Sequence, residues 1–165
     1  MRLPDFPNPV NDTSARVVAT GVVGLATATV VGDRPWLLGP LTYGFAARAL
    51  AGPRFSPLGL LATKVVTPRL AVEHRYTPGP PKRLAQAIGL AVSGGATALA
   101  ATGHRRGAYR LLGGLIAAAG LEAAFGLCLG CKLFGLGVRA GVVPSDVCES
   151  CNDIWSRYPG GRPAA

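Results

Sequence analysis

The sequence predicts an all-α, polytopic membrane protein: a four-transmembrane-helix bundle of two helical hairpins, followed by a short cytoplasmic C-terminal helix. Hydrophobic residues make up 49% of the 165 positions and charged residues only 15%, whereas soluble domains carry about 25% charged residues. Nearly all of the charges lie outside four long apolar stretches. Glycine is abundant, with 23 residues, as expected where helices pack closely in lipid. These observations predict a single membrane domain over residues 1–165.

The apolar stretches and the turns between them define the segments. In chain order we predict a cytoplasmic N-terminal segment (1–16), a first crossing (17–32), a second crossing (36–51), a basic cytoplasmic loop (52–83), a third crossing (84–102), a fourth crossing (108–134) and a cytoplasmic cysteine-containing tail (135–165). Only the last two crossings reach the ~20 residues that comfortably span a 30 Å hydrocarbon core. The first two are therefore expected to be tilted or recessed at the interface.

Small residues recur at every fourth position in three of the crossings, and we expect these stripes to face the inside of the bundle, where backbones approach closely. The stripes are Thr20, Gly24, Ala28 and Gly32 in the first crossing; Gly89, Ser93, Thr97 and Ala101 in the third; and Gly114, Ala118, Glu122, Gly126 and Gly130 in the fourth.

The distribution of positive charge predicts the orientation. From Arg48 to Arg83, both included, the sequence has seven basic residues and one acid, Glu73. Basic loops remain on the cytoplasmic side of a membrane. Four crossings then place both termini in the cytoplasm, in a multi-pass protein of the plasma (inner) membrane with the lipid bilayer as its main partner. The net charge of +9 does not indicate nucleic-acid binding, because no aromatic residues are interleaved with the basic ones.

All four cysteines lie near the C-terminus, as Cys128-x2-Cys131 and Cys148-x2-Cys151 with sixteen residues between the two motifs. This spacing fits a zinc site in which two CxxC turns supply four thiolates to one tetrahedral ion. Zinc is accordingly the one cofactor that the sequence suggests, in a structural and non-enzymatic role.

Thiol chemistry is the other interpretation of the same cysteines. Ser145 or Asp146 resembles a helix N-cap, which would place Cys148 in the first turn, where partial positive charge lowers a thiol pKa. Cys128 and Cys131 would be the working pair, and Cys148 and Cys151 a relay pair. From spacing alone, zinc binding and thiol chemistry both remain open.

Glu122 is the only acid within a predicted crossing. A carboxylate in lipid costs roughly 2.5 kcal/mol or more, so such residues pair with a cation or have a function. Arg48, near the inner end of the second crossing, is the predicted partner in a structural ion pair. Glu122 is also the only candidate residue for a third interpretation, a small transporter or channel subunit.

Four segments carry a family resemblance: NPVNDTSARVVA (8–19), GPRFSPLGLLATKVVTPRL (52–70), PPKRLAQAIGL (80–90) and AAFGLCLGCKLF (123–134). In these segments the chain resembles the bacterial membrane protein family named domain of unknown function 4395. The resemblance implies a membrane location, a CxxC motif that ends the last helix, and association with thioredoxin-like or sulfurtransferase proteins. It favours a membrane-anchored CxxC dithiol protein in thiol redox or sulfur transfer over the zinc site.

Overall fold

The computed structural model describes residues 10–70 and 76–143, and within these ranges the protein is mostly helical. Six α-helices are present: α1 (Asp12–Val31), α2 (Leu38–Ala51), α3 (Pro57–Leu60), α4 (Gly79–Ala101), α5 (Arg105–Phe125) and α6 (Leu129–Arg139). Single turns of 3-10 helix cover Pro35–Leu37, Gly52–Phe55 and Thr67–Arg69, and a π-helical turn covers Leu61–Val66. Two short strands, β1 (Val10–Asn11) and β2 (Tyr76–Thr77), pair antiparallel with Val10 opposite Thr77.

Helix α1 begins five residues before the predicted crossing because the preceding sequence supplies a cap. The Asn11 side chain accepts a hydrogen bond of 3.3 Å from the backbone N–H of Ser14, and Asp12 adds negative charge at the positive end of the helix. Asp12 and Arg16 therefore belong to the helix rather than to the N-terminal segment. At 20 residues, α1 is about 30 Å long.

Three helices, α1, α4 and α5, are long and apolar enough to cross a membrane, so three of the four predicted crossings correspond to helices that could span one. Helix α2 has 14 residues and spans only about 21 Å. Most of its side chains are buried against the other helices instead. Of the two predicted hairpins, α4 and α5 pack against each other, whereas α1 packs chiefly against α5 and α2 chiefly against α4.

The core lies where these four helices meet, and it is built from medium-sized apolar side chains. Its buried members include Val18, Val22 and Ala26 of α1, Leu38, Leu41 and Phe45 of α2, Ala96 of α4, and Ala108, Leu112 and Leu115 of α5. Gly89 of α4 lies against the Phe45 ring of α2 with no space for a Cβ atom. A hydrogen bond of 2.9 Å between Thr42 and Thr97 joins the same two helices.

The stripes of small residues are only partly internal. In α4, Gly89 and Ser93 are buried and Thr97 is half-buried, as predicted, whereas Ala101 is exposed. In α1 the prediction is wrong, because all four members of the stripe, from Thr20 to Gly32, are exposed. The larger Val18 and Val22 make the buried face of that helix. In α5, Gly114 is exposed and the stripe becomes buried only towards Gly130 in α6.

The predicted fourth crossing, 108–134, is not one helix. Helix α5 ends at Phe125, and Gly126 adopts a left-handed conformation with φ of 68°, which a residue without Cβ accepts at little cost. The Gly126 N–H donates to the Glu122 carbonyl at 2.9 Å, the single bond of an αL C-cap, and the Leu127 N–H donates to the Leu121 carbonyl at 3.2 Å. Cys128 follows as the N-cap of α6. The predicted C-terminal helix at Ser145–Cys148 lies outside the described residues.

Much of the predicted basic loop is folded. Its first half forms α3 and the π-helical turn, which pack on α1: Leu58 contacts Gly21, and the hydroxyl groups of Ser14 and Thr67 are 2.8 Å apart. Its last residues, from Gly79, are the first turn of α4, where proline is tolerated because the first N–H groups of a helix need no intrahelical partner. Lys82 is consequently a helix residue.

Four helix ends come together at one end of the bundle: the start of α1, the end of α2, the start of α4 and the end of α5. We call this the polar end and define it by Asp12, Arg48, Lys82, Gln86 and Glu122, whose side chains form a network of ion pairs and hydrogen bonds. Arg16 closes the same region, because its guanidinium donates to the last carbonyls of α5, at 3.2 Å to Ala123 and 2.8 Å to Ala124. Helix α6 begins directly beside the polar end.

Candidate dithiol site

The cysteine pair lies at the junction of α5 and α6. Cys128 is the N-cap of α6, with φ of −82° and ψ of 104°, and Cys131 is in the first turn, three residues later. Gly130, between them, packs directly on α4, where an added Cβ would lie 2.6 Å from the Ala85 Cα atom. The break at Gly126 and this close contact together fix the first turn of α6 against the bundle.

The two thiols differ in acidity. The Cys131 thiol donates a hydrogen bond to the Cys128 sulfur, which is the largest cause lowering the pKa of Cys128 from 9.0 to about 7. Burial and the Glu122 carboxylate oppose this effect, and the Lys82 ammonium adds to it. The pKa of Cys131 is raised, chiefly because its proton is held in that hydrogen bond and because the thiol is buried. The pair therefore favours a thiolate on Cys128 and a thiol on Cys131.

A buried lysine links the site to three helices. The Lys82 ammonium lies 2.7 Å from a carboxylate oxygen of Glu122 and 3.0 Å from one of Asp12, and its side chain is 4% exposed. These bonds join α4 to α5 and α1. Glu122 is thus in a buried ion pair, as its position in an apolar segment predicts.

The identity of the partner was predicted wrongly. Arg48 does not contact Glu122: its guanidinium donates to Gln86 Oε1 at 2.8 Å and to Ser56 Oγ at 2.9 Å, and it stacks on the Phe45 ring 4.7 Å from the centroid. Lys82 takes its place because α4 begins at Gly79 rather than near residue 84. In the sequence, the two prolines before Lys82 indicate that a helix begins there, since proline is favoured in the first turn of a helix.

An apolar cavity gives access to Cys128. The cavity has a volume of about 200 Å³ and lies between α2, α4, α5 and α6, with Cys128 and Glu122 among its lining residues. Most of its other walls are hydrocarbon, including the side chains of Phe45, Ile88, Leu115 and Leu133. Cys128 is otherwise well covered, at 8% exposure, whereas Cys131 is half-buried.

Cys148 and Cys151 lie outside the described residues, so the structure brings together two of the four predicted cysteines. Both described cysteines are free thiols. Within residues 10–70 and 76–143, no three histidine, cysteine or acidic side chains are grouped as metal ligands. The four-cysteine zinc site and the relay pair both remain predictions.

One family model matches this chain. It is described as a domain of unknown function (DUF4395), and it matches residues 10–139. Neither a curated protein nor a solved structure matches the chain.

Proposed function

The chain belongs to the DUF4395 family, and we propose that it is a membrane-anchored dithiol protein in thiol redox or sulfur transfer, with Cys128 and Cys131 as the working pair. The observation that carries the proposal is the position of Cys128 at the N-cap of α6 with Cys131 in the following turn. The N–H groups at a helix N-terminus stabilise negative charge, and a thiolate is the reactive form of cysteine. The lowered pKa of Cys128, about 7, supports the same assignment.

In the redox form of the proposal, the Cys128 thiolate attacks a disulfide in a thioredoxin-like partner. One partner sulfur leaves as a thiolate, and a mixed disulfide forms. Cys131 then loses its proton to solvent and attacks the Cys128 sulfur, which breaks the mixed disulfide and releases the second partner sulfur as a thiolate. Two electrons pass from the dithiol to the partner, and a Cys128–Cys131 disulfide remains. The reverse sequence would oxidise a reduced partner.

In the sulfur-transfer form, the donor is a persulfide on a sulfurtransferase. The Cys128 thiolate attacks the terminal sulfur of that persulfide, the donor cysteine leaves as a thiolate, and Cys128 becomes the persulfide. The cavity of about 200 Å³ beside Cys128 has room for this additional sulfur atom. Its apolar walls would limit the access of water to the product.

For the topology, we propose four crossings, with α2 as a short second crossing and both termini in the cytoplasm of the plasma membrane. The meeting of four helix ends at the polar end supports this arrangement, since α2 returns the chain to the end from which α1 began. Exposed basic residues at that end, such as Arg54 and Lys64, fit the cytoplasmic side. The dithiol then faces a reducing compartment.

Labelling with an impermeant maleimide tests the orientation. Two single-cysteine variants, Arg54→Cys and Arg106→Cys, are matched because both positions are exposed and lie at opposite ends of the bundle. With the four native cysteines replaced by serine, Arg106→Cys is expected to react in intact cells, and Arg54→Cys only after permeabilisation. The opposite pattern would overturn the orientation.

The chemistry is tested on the full chain in lipid nanodiscs, with serine at positions 148 and 151. Equilibration in buffers of graded reduced and oxidised glutathione should convert the remaining pair to an intramolecular disulfide, detected by mass spectrometry. Incubation with a small persulfide donor should add one sulfur atom to Cys128. Serine at position 128 should prevent both reactions, whereas serine at position 131 should prevent only the disulfide. A pair that forms neither product would contradict the proposal.

A further inference from the structure

A second cavity lies at the polar end, apart from the cavity beside Cys128. It has a volume of about 170 Å³ and is enclosed by the start of α1, the end of α2, the Gly52–Phe55 turn, Thr63 and the start of α4. Its polar lining residues are Asn11, Ser14, Arg48, Thr63, Lys82 and Gln86. Neither Asp12 nor Glu122 is among the lining residues. The charged residues that line this space are therefore both cations.

Arg48 has more hydrogen-bond donors than acceptors to receive them. A guanidinium carries five N–H groups, and Arg48 places one on Gln86 Oε1 and one on Ser56 Oγ. Its Nη2 atom is buried and has no hydrogen-bond partner within residues 10–70 and 76–143, and the residue as a whole is 4% exposed. An unpaired buried donor on a charged group is strongly unfavourable, so such groups in native structures indicate a missing acceptor.

The second cation, Lys82, has anionic partners but does not use all of its hydrogen-bond donors in contacts with them. Lys82 gives two of its three N–H donors to Asp12 and Glu122. Within the described part of the chain, Arg48 contacts no carboxylate at ion-pair distance, and its side-chain acceptors, Gln86 and Ser56, are neutral. Among the described residues that line the cavity, none is a carboxylate that could pair with Arg48 there.

We propose that this cavity binds a small oxyanion of the sulfate or phosphate type, held by the Arg48 guanidinium with Lys82 as the second cation. Arginine presents paired N–H groups that match the spacing of oxygen atoms on such anions. Asn11, Ser14, Thr63 and Gln86 are the other polar residues that line the cavity. A cavity of about 150 Å³ accommodates benzene, so a five-atom oxyanion fits within 170 Å³. The anion is either a free ion or the phosphate of a lipid headgroup.

Calorimetric titration of the full chain with sodium sulfate tests the free-ion form, in nanodiscs of phosphatidylcholine at constant ionic strength. We expect saturable binding of one sulfate per chain. Arg48→Gln should weaken binding by at least about tenfold, because a hydrogen bond to a charged group contributes that much or more. Arg54→Gln is the matched control and should bind like the natural chain, since Arg54 is exposed and does not line the cavity.

A second variant, which fills the cavity, tests the proposal even if Arg48→Gln does not fold. Ala15 lines the same space and is half-buried, so Ala15→Leu should abolish sulfate binding while every charge is retained. Nanodiscs with phosphatidylglycerol distinguish the lipid source: a headgroup in the cavity would lower the apparent sulfate affinity, and native mass spectrometry would detect one retained lipid that Ala15→Leu loses. If the natural chain bound neither sulfate nor lipid in this way, or if Ala15→Leu bound sulfate unchanged, the proposal would be overturned.

Discussion

Replacement of Lys82 gives the sharpest test of how the polar end works. Lys82→Met keeps the length of the side chain but leaves Asp12 and Glu122 without their shared cation. Removing one partner of a buried ion pair costs about 3–5 kcal/mol. The two carboxylates retain side-chain exposures of 20% and 16%, so water relieves part of this cost, and we expect about 2–3 kcal/mol. At about 2–4 °C per kcal/mol for a chain of this size, the melting temperature should fall by roughly 5–10 °C.

The matched variant Glu122→Gln should cost much less, about 1 kcal/mol, because Lys82 keeps its ion pair with Asp12. Thermal unfolding in detergent, followed by circular dichroism, measures both variants. Lys64→Met is the control, since Lys64 is exposed and makes no ion pair among the described residues. Equal melting temperatures for Lys82→Met and Lys64→Met would refute the stabilising role of the buried network.

The same two variants should move the acidity of Cys128 in opposite directions. The Lys82 ammonium lowers the pKa of Cys128 and the Glu122 carboxylate raises it. Lys82→Met should therefore shift the alkylation midpoint of Cys128 above about 7, and Glu122→Gln should shift it below. Iodoacetamide rates measured against pH report the midpoint, with Cys131, Cys148 and Cys151 left in place and site occupancy read by mass spectrometry. Shifts of the same sign in both variants would exclude electrostatic control of the Cys128 pKa by Lys82 and Glu122.

Three further predictions concern the cysteines. Cys131→Ala should raise the alkylation midpoint of Cys128, because alanine removes the hydrogen-bond donor that lowers this pKa; an unchanged midpoint would argue against the hydrogen bond. Gly126→Ala should lower the free energy of unfolding by about 1–2 kcal/mol, the cost of a left-handed residue with Cβ. It should also raise the alkylation midpoint of Cys128, because α5 could then continue past residue 125. An unchanged melting temperature and an unchanged alkylation midpoint would contradict the role of Gly126 in ending α5. Purified chain should contain no stoichiometric zinc, and metal analysis that finds one zinc per chain, lost with serine at position 148, would favour the four-cysteine site instead.

The helical membrane architecture was predictable because it depends on composition and segment length, which are local properties. The limits of α4 were less predictable. Residues 79–83 contain two prolines and two basic residues, a composition typical of a loop, yet they form a helical turn because the first N–H groups of a helix need no intrahelical acceptor. That shift of one turn is what brings Lys82, rather than Arg48, against Glu122.

The break before the dithiol was harder to predict. Gly126 and Gly130 belong to the same predicted stripe, and glycine is common within transmembrane helices. One of them ends a helix in a left-handed conformation and the other allows close contact with Ala85. Nothing local distinguishes these two uses, because the second depends on a helix that lies some 45 residues away in the sequence. The CxxC pair was found from spacing, but its place at a helix start was not.

The arginine that caps α5 has a consequence for biogenesis. Arg16 is separated by 107 residues from the Ala123 carbonyl that it contacts, and ribosomes need about 5–20 s to add that much chain. During this interval α1, the first helix to leave the ribosome, lacks its main packing partner, α5, and Arg16 lacks the α5 carbonyls to which it donates. Until α5 has been made, α1 can pack only on the segments that directly follow it, among them α3 and the π-helical turn, and it depends on the insertion machinery for the rest of its cover. Premature termination before residue 123 would leave an orphan first helix, an expected substrate for membrane quality-control proteases.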